Sequence, residues 1–368
     1  MRSPCRYSLI LALIVACGQV PADMPDPIAD IHLHWKWNQK EATSTEEAIA
    51  ILESQGVGLA VVTGTPPELA LELQALAPDI VIPIYGIYRL PGEWSTWHLD
   101  TDLLQRIRRA LASGRYRGIG EVHMLGGFIS DWKNPVIAGL FELAAEFDVP
   151  VLVHTEFSRA DYTLGFCRAH PRTRFLWAHS GVMLQPGEIV RVLEGCPNVR
   201  AELSARDPWR HLANPIADER GRLLPAWRNL VIRYADRFMI GSDPVWPVDR
   251  LNPWDEPDTG WQELPRFLEF HRTWLADLPP HAADAIRWEN ALRFFGTPAA
   301  PPADPDPRSL PATPPKGRLR SVDRATAKTA HAVRDQATRG IDAGFAVTAE
   351  TGSGGQRIPA IIGEGRPI

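Results

Sequence analysis

Short apolar runs alternate with longer amphipathic segments from residue 29 to residue 296 of the 368-residue chain. There are eight of these runs, and most of them are nearly continuous in hydrophobicity, which is typical of parallel strands covered by helices on both faces. The runs are residues 29–34, 57–64, 80–87, 118–124, 150–155, 174–180, 199–204 and 238–243. The pattern therefore predicts βα units around a parallel sheet.

The amphipathic segments between these strands predict helices, and several of them begin with Pro or Ser/Thr, as helix starts do. They cover residues 45–54, 67–76, 101–112, 135–147, 187–194 and 225–234, and two further helices at 261–276 and 282–295 close the domain. Eight such units in about 270 residues match the usual size of a (β/α)₈ TIM barrel. We therefore predict an α/β barrel over residues 24–297, with a doubly wound open sheet as the alternative.

The two ends of the chain differ in composition from this central part. Arg2 and Arg6 precede an apolar segment, residues 9–15, that is too short to span a membrane, which predicts an export signal over residues 1–17. The sequence Ile-Val-Ala-Cys-Gly around Cys17 resembles a bacterial lipobox. It predicts a periplasmic lipoprotein anchored to the outer membrane through Cys17; cleavage near Ala22 or an uncleaved anchor are the alternatives.

After the barrel, residues 298–368 are first rich in proline and then polar, which predicts a linker and a disordered tail. Within the barrel, Cys167 and Cys196 lack the spacing of a metal site. They could pair in an oxidising compartment, although two buried, unpaired thiols are the commoner outcome for cysteines in helices. The formal net charge of −5 and the lack of a long basic run argue against a nucleic-acid partner and favour a small-molecule substrate.

The strongest chemical signal is the pair His32 and His34 on the first predicted strand. Side chains two residues apart on a strand point to the same side, so both imidazoles can reach one metal ion. Ionisable residues also lie towards the carboxyl-terminal ends of four other predicted strands, where barrel enzymes hold their active sites. These residues are Glu121, His154, His179 and Asp243. Burying such groups is costly unless a cation or a partner receives them.

A histidine pair on strand 1, followed by Glu, His, His and Asp on strands 4, 5, 6 and 8, resembles the amidohydrolase superfamily, especially its amidohydrolase-related and TatD-like branches. The resemblance covers the predicted barrel up to residues 290–296, which are similar to the closing helix of these proteins. It implies that one divalent metal ion is held by His32, His34 and Asp243, and a second by His154 and His179, with Glu121 bridging. A mononuclear site with Glu121 outside the ligand set is the alternative.

The resemblance implies a metal-dependent hydrolase in which a metal-activated water attacks an amide, ester, lactone or phosphoester. Asp243 would be the general acid and base, whereas alone it would be read as a helix N-cap before Pro244. Zinc suits these ligands best, and manganese, nickel and iron also suit them. A metal-dependent nonoxidative decarboxylase is the second hypothesis, and a non-catalytic metal-binding lipoprotein is a third.

Several further residues are weaker candidates for substrate binding. His123 shares a strand face with Glu121 and could be a further ligand, a substrate contact or a structural hydrogen bonder. Arg206 could meet an anionic substrate group at the mouth or pair with Glu202. Three tryptophans that follow predicted strands could form an apolar pocket wall or simply pack their loops: Trp35, Trp209 and Trp246. Asp30 is a candidate to orient a ligand histidine.

Overall fold

The computed structural model describes residues 26–90, 92–124, 131–155, 158–210, 215–248 and 256–299. The predicted export signal, Cys17 and almost all of the predicted tail lie outside these residues. Among the described residues, no helix is both long enough and apolar enough to cross a lipid bilayer.

Eight parallel strands form the centre of the fold. They are β1 Ile28–Lys36, β2 Val57–Thr65, β3 Val81–Ile84, β4 Ile119–His123, β5 Val151–His154, β6 Phe175–Trp177, β7 Val199–Glu202 and β8 Phe238–Met239. Ladders join β1 to β3 in one group and β4 to β8 in another, each in sequence order. Every predicted strand is therefore present.

Backbone hydrogen bonds join the two groups at both seams. At one seam, Tyr85 N–H donates to Gly118 O at 2.8 Å and Gly120 N–H donates to Tyr85 O at 3.0 Å. At the other, Ile31 N–H donates to Ile240 O at 3.0 Å and Asp243 N–H donates to His32 O at 2.8 Å. The strands therefore close into the predicted (β/α)₈ barrel, and the doubly wound alternative is wrong.

Helices surround the strands and close the domain. They are α1 Trp37–Lys40, α2 Thr45–Ser54, α3 Glu68–Leu76, α4 Leu103–Ala112, α5 Pro135–Glu146, α6 Ala160–Ala169, α7 Pro186–Gly195, α8 Pro225–Arg233, α9 Gly260–Leu275, α10 Pro280–Asp284 and α11 Asn290–Phe295, with one π-helical segment at Ala285–Glu289. Local sequence explains several starts. Ser44 and Glu47 form a capping box before α2, and Asn134 caps α5 with Pro135 in its first turn.

The barrel interior is filled by its own apolar cluster, distinct from the larger cluster between strands and outer helices. Its strand residues are Ala29, Ile31, Leu59, Val61, Ile82, Ile84, Leu152, Leu176 and Met239. Ala291 and Phe295 of α11 pack against this cluster. The interior is thus a packed core, so a ligand can enter only at the end of the barrel where polar residues replace apolar ones.

Cys167 of α6 and Cys196, which follows α7, are joined by a disulfide with their Cα atoms 6.1 Å apart. Of the two alternatives that the sequence left open, the structure therefore has the paired one.

Candidate metal centre

The six predicted ligands come together at the carboxyl-terminal mouth of the barrel. Their ligand atoms form overlapping groups in which all atoms lie within 4.8 Å of one another. The groups are His32 with Glu121 and His179, His32 with His34 and Asp243, and Glu121 with His123 and His154. One centre therefore contains side chains from β1, β4 and β5 and from the segments that follow β6 and β8.

The two histidines of β1 point at the same place. The Nε2 atoms of His32 and His34 lie 3.2 Å apart. The His34 Nε2 atom is also 3.2 Å from Glu121 Oε2 and 3.4 Å from Asp243 Oδ1. On the other side of Glu121, its Oε1 atom lies 2.8 Å from His154 Nδ1. Glu121 thus contacts imidazoles on two sides.

An irregularity in β1 brings the histidine pair to the interior. Ala29 and Ile31 pack inside the barrel, whereas Leu33 and Trp35 belong to the outer cluster. The register of β1 against β2 shifts between Asp30 and Leu33, and such a shift changes which face alternate residues occupy. As a result, His32 and His34 directly follow the apolar filling of the barrel.

His179 and Asp243 lie beyond their strands, which end earlier than predicted. Strand β6 ends at Trp177 and β8 at Met239, and both His179 and Asp243 adopt left-handed backbone conformations, with φ values of 54° and 47°. A residue with a side chain rarely adopts this conformation unless its surroundings enforce it. The turn moves each side chain out of the ladder and over the mouth.

Two buried arginines from the segment after β7 hold these turns. Arg206 donates from Nε to His179 O at 2.7 Å and from Nη2 to Ser180 O at 2.9 Å. Arg210 donates from Nη1 to Asp243 O at 2.6 Å. The hypothesis that Arg206 meets a substrate anion at the mouth is therefore wrong: its side chain is buried and directed at main-chain carbonyls, and it lies 4.6 Å above the Trp227 ring.

Glu202 of β7 supports the ligands from below, a role that we did not predict. Its Oε1 atom lies 3.0 Å from His32 Nδ1 and accepts a 2.5 Å hydrogen bond from the His179 N–H group. It also accepts from the Ser204 hydroxyl at 2.9 Å, and that hydroxyl lies 2.8 Å from His179 Nδ1. Carboxylates that fix the distal nitrogen of a ligand histidine are a common feature of metal sites. The signal available in the sequence was an acidic residue at the end of a buried strand.

Asp30, proposed to orient a histidine, instead contacts main chain. Its Oδ1 atom accepts from Ser242 N–H at 3.0 Å and from His32 N–H at 3.3 Å. Burial raises the pKa of Asp30 to about 7, despite these hydrogen bonds. Asp30 therefore links β1 to the segment after β8 rather than contacting an imidazole.

The centre stabilises positive charge. Burial alone would raise the pKa of Glu121, but His32 and His154 outweigh it and hold that pKa well below its usual range. Asp243 behaves in the same way beside His32 and His34. Burial disfavours a charged His32, yet Glu121 and Asp243 raise its pKa well above the usual value. A cation bound at this point would replace that stabilised proton.

The donor set fits a divalent metal ion. Imidazole nitrogens and carboxylate oxygens are ligands that zinc and other first-row metals accept. Two carboxylates, Glu121 and Asp243, supply the negative charge that a buried cation requires. The distal Nδ1 atoms of His32 and His179 are already held by Glu202 and Ser204, which leaves the Nε2 atoms to face the centre.

The remaining candidates lie at different depths. His123 is partly exposed beside Glu121, and burial lowers its pKa to about 3, so its ring is neutral near pH 7.

Trp35 is fully buried and packs against Trp261 with ring centroids 5.2 Å apart, so its placement in a pocket wall is wrong. Trp209 and Trp246 are partly exposed, and the Arg266 guanidinium lies 4.3 and 5.8 Å from their rings. For these two, pocket lining stays a prediction.

Residues 93–297 match the model of the amidohydrolase family, which is more than half of the chain. The protein therefore belongs to this family, and the resemblance drawn from the ligand pattern is confirmed. No curated protein sequence matches the chain significantly.

Several solved structures are similar to this chain, and the first of those named below supports the fold. The chain is similar to YjjV, a TatD homologue from Escherichia coli K12, with 16% identity, a TM-score of 0.51, and coverage of 74% of this chain and 98% of that one. It also matches an amidohydrolase from Burkholderia multivorans with bound zinc at 17% identity and a TM-score of 0.45, covering 74% and 100% of the two chains. A dihydroxybenzoic acid decarboxylase from Polaromonas sp. JS666 with bound manganese matches at 11% identity and a TM-score of 0.46, covering 74% and 97%.

Proposed function

We propose that this protein is a metal-dependent hydrolase that cleaves an amide, ester, lactone or phosphoester bond of a small molecule. The observation that carries the proposal is the convergence of four imidazoles and two carboxylates from five strand ends. His32 and His34 lie 3.2 Å apart, and each lies within 3.2–3.9 Å of both Glu121 and Asp243. We propose zinc as the metal, although the same ligands suit manganese, nickel and iron. When bound, the metal would lower the pKa of a water molecule and polarise the oxygen of the scissile group.

Asp243 is the group best placed to move the proton. Its side chain is 15% exposed, whereas Glu121 is 4% exposed and Glu202 is fully buried, so Asp243 is the carboxylate of the three that solvent and substrate reach most readily. Burial raises its pKa, but neighbouring imidazoles hold that pKa below the usual range, so the carboxylate is ionised near pH 7. It would accept the proton of a water molecule that a bound metal has made more acidic. It would then pass the proton to the leaving group.

The test removes proton transfer while leaving a donor atom in place. Asp243→Asn should retain at least part of its metal, measured by elemental analysis, and should lose turnover about 10²- to 10⁴-fold across a panel of esters, lactones, amides and phosphoesters. Asp236→Asn changes an exposed aspartate in the segment before β8 and serves as the control. An unchanged rate in Asp243→Asn would refute the proton-transfer role.

The same preparation separates the alternative functions. Carbon dioxide release from aromatic acids, without hydrolysis of the panel, would favour the nonoxidative decarboxylase. Stoichiometric metal without turnover of either substrate class would favour a non-catalytic metal-binding protein. Removal of the metal with a chelator should abolish hydrolysis, and added zinc should restore it.

We further propose that the protein is exported and acts in the periplasm as a lipoprotein anchored through Cys17. The lipobox-like segment around Cys17 and the Cys167–Cys196 disulfide support this location. An exported enzyme would meet substrates of the cell envelope or the environment rather than cytosolic intermediates.

A further inference from the structure

The guanidinium of Arg266, on α9, lies against two indole rings at the mouth of the barrel. Its central carbon is 4.3 Å from the centre of the Trp209 ring and 5.8 Å from that of Trp246. Both tryptophans are partly exposed, and the Arg266 side chain is 47% exposed. Two aromatic rings therefore hold a cation that solvent and ligands can still reach.

The first turn of α9 borders the metal centre. The indole N–H of Trp261 donates to the main-chain oxygen of His34 at 2.8 Å, and the N–H of Thr259 donates to Trp246 O at 3.0 Å. Side chains of a helix lean towards its amino terminus. Arg266, in the second turn of α9, is therefore directed back towards the mouth.

The two indoles also adjoin the turn that carries Asp243. Trp209 directly precedes Arg210, which donates to Asp243 O at 2.6 Å. Trp246 follows Asp243 by three residues along the segment after β8. A group bound by Arg266 would thus lie beside the segments that hold the proposed proton carrier.

The contacts of Arg266 leave its hydrogen-bond donors available. Among the residues that the structure describes, its ion-pair partner is Glu263, and the distance of 3.6 Å between Nη1 and Oε2 is longer than a normal hydrogen bond. Contact with an aromatic ring uses the face of a guanidinium, whereas its N–H groups lie in its plane. The indoles therefore fix the group without occupying its donors, and that planar fork matches a carboxylate.

We propose that Arg266, held by Trp209 and Trp246, binds a carboxylate of the substrate at a distance from the bond that reacts. The substrate is then an anionic ester, lactone, amide or phosphoester that carries a carboxylate at its far end. Arg266 takes the part that the sequence suggested for Arg206. The inference rests on the proposed function, because it takes the metal centre as the place where the bond is cleaved.

The test compares ligands that differ by one charge. Linear dicarboxylates from succinate to suberate, and their half-amides, are titrated into the zinc-loaded protein by calorimetry. Each ligand has a carboxylate for the metal, so the difference within a pair reports the second one. At the length that spans from the metal to Arg266, the wild type should bind the dicarboxylate about 5- to 30-fold more tightly than the half-amide. Added salt should reduce this preference, because the guanidinium is partly exposed.

Three variants identify the source of the preference. Arg266→Gln should nearly abolish it, whereas Arg109→Gln, the same change at an exposed arginine of α4, should leave it at the wild-type value. Arg266→Lys should keep only part of it, because lysine retains the charge and the apolar stem but has no planar fork.

A preference that survives in Arg266→Gln would overturn the proposal, as would a wild type that binds neither member of a pair or binds both equally at every length. Equal losses of affinity for dicarboxylate and half-amide in Arg266→Gln would also overturn it, since Arg266 would then only pack against the indoles.

The outcomes also separate this proposal from the proposed function. A preference that depends on Arg266, in a protein that hydrolyses nothing, would support the carboxylate site and refute the hydrolase. Hydrolysis of neutral substrates by a protein without this preference would overturn the carboxylate site alone.

Discussion

The Arg210 guanidinium donates a 2.6 Å hydrogen bond from Nη1 to the main-chain oxygen of Asp243, the residue to which we assign proton transfer. Arg210 is itself paired with Asp207 at 2.7 Å, and both side chains are almost completely buried. Its guanidinium lies 3.7 Å from the centre of the Phe267 ring. A buried ion pair on the segment after β7 thus holds the left-handed turn that places a carboxylate over the mouth.

Arg210→Met should destabilise the protein and slow its reaction for two separable reasons. The unpaired Asp207 carboxylate would remain buried, which typically costs about 3–5 kcal/mol. The Asp243 carbonyl would also lose its donor. The double variant Asp207→Leu with Arg210→Met should recover most of the stability in denaturant unfolding, because neither charge remains. Its kcat should stay low because the Asp243 turn is no longer held. If the double variant recovered both its stability and its kcat, Arg210 would act on stability alone.

Glu202→Gln should weaken metal binding while leaving every proposed ligand in place. The amide has one acceptor oxygen, whereas the carboxylate accepts from His32, the His179 N–H group and Ser204. Loss of such support typically lowers metal affinity about 10- to 100-fold. Competition against a metal-binding dye measures the change, with Glu219→Gln at an exposed position as the control. Equal affinities in the two variants would contradict the supporting role.

His271 should make the protein sensitive to acid. Burial lowers its pKa from 6.5 to about 4, and its ring nitrogens are engaged by Gly241 O at 2.9 Å and Trp274 Nε1–H at 3.2 Å. The unfolded chain therefore binds the proton more readily than the folded one. Above about pH 6.5, neutral His271 contributes about 3 kcal/mol to the free energy of unfolding, and this contribution is lost as the pH falls towards 4.

The measurement is the free energy of unfolding between pH 7 and pH 4. The free energy of unfolding should change less with pH in His271→Gln than in His281→Gln, by up to about 1.4 kcal/mol per pH unit. The reason is that one fewer proton is taken up on unfolding. The ligand histidines are present in both variants and cancel in the comparison. Parallel curves for the two variants would rule out His271 as the source of acid sensitivity.

Cys17→Ser should abolish lipid attachment without altering the folded domain. When the full chain is produced in bacteria with labelled palmitate, the wild type should carry the label and sediment with outer membranes. The variant should carry none, because serine has no thiol to modify. Membrane-bound, unlabelled wild-type protein would instead favour an uncleaved anchor.

The sequence was sufficient to predict the strands and the six side chains that come together at the mouth, because both depend on local patterns. Runs of buried β-branched residues predict parallel strands, and an ionisable residue after each run is conspicuous. Successive side chains on β1 point to opposite faces, and this alternation also predicts the orientation of Trp35. As the neighbour of the inward-facing His34, it must face outwards, as the structure shows.

The remaining features depend on contacts between distant segments. Nothing local distinguishes Arg206, which holds the His179 turn, from an arginine that meets a substrate. The role of Glu202 requires β7 to lie between β6 and β8, with the β1 histidine within reach across the barrel. The left-handed turns at His179 and Asp243 likewise follow from their surroundings, since neither residue favours that conformation by itself.

Gly241 has no room for a side chain: an added Cβ would lie 2.5 Å from Glu202 Oε2 and 2.8 Å from His32 Cβ. A single methyl group there would push apart two residues that approach each other from different strands. In a laboratory evolution experiment, mutations that broaden substrate range should accumulate on the rim, around Trp209 and Trp246. The residues beneath the proposed metal centre, Gly241, Glu202 and His32, should remain invariant.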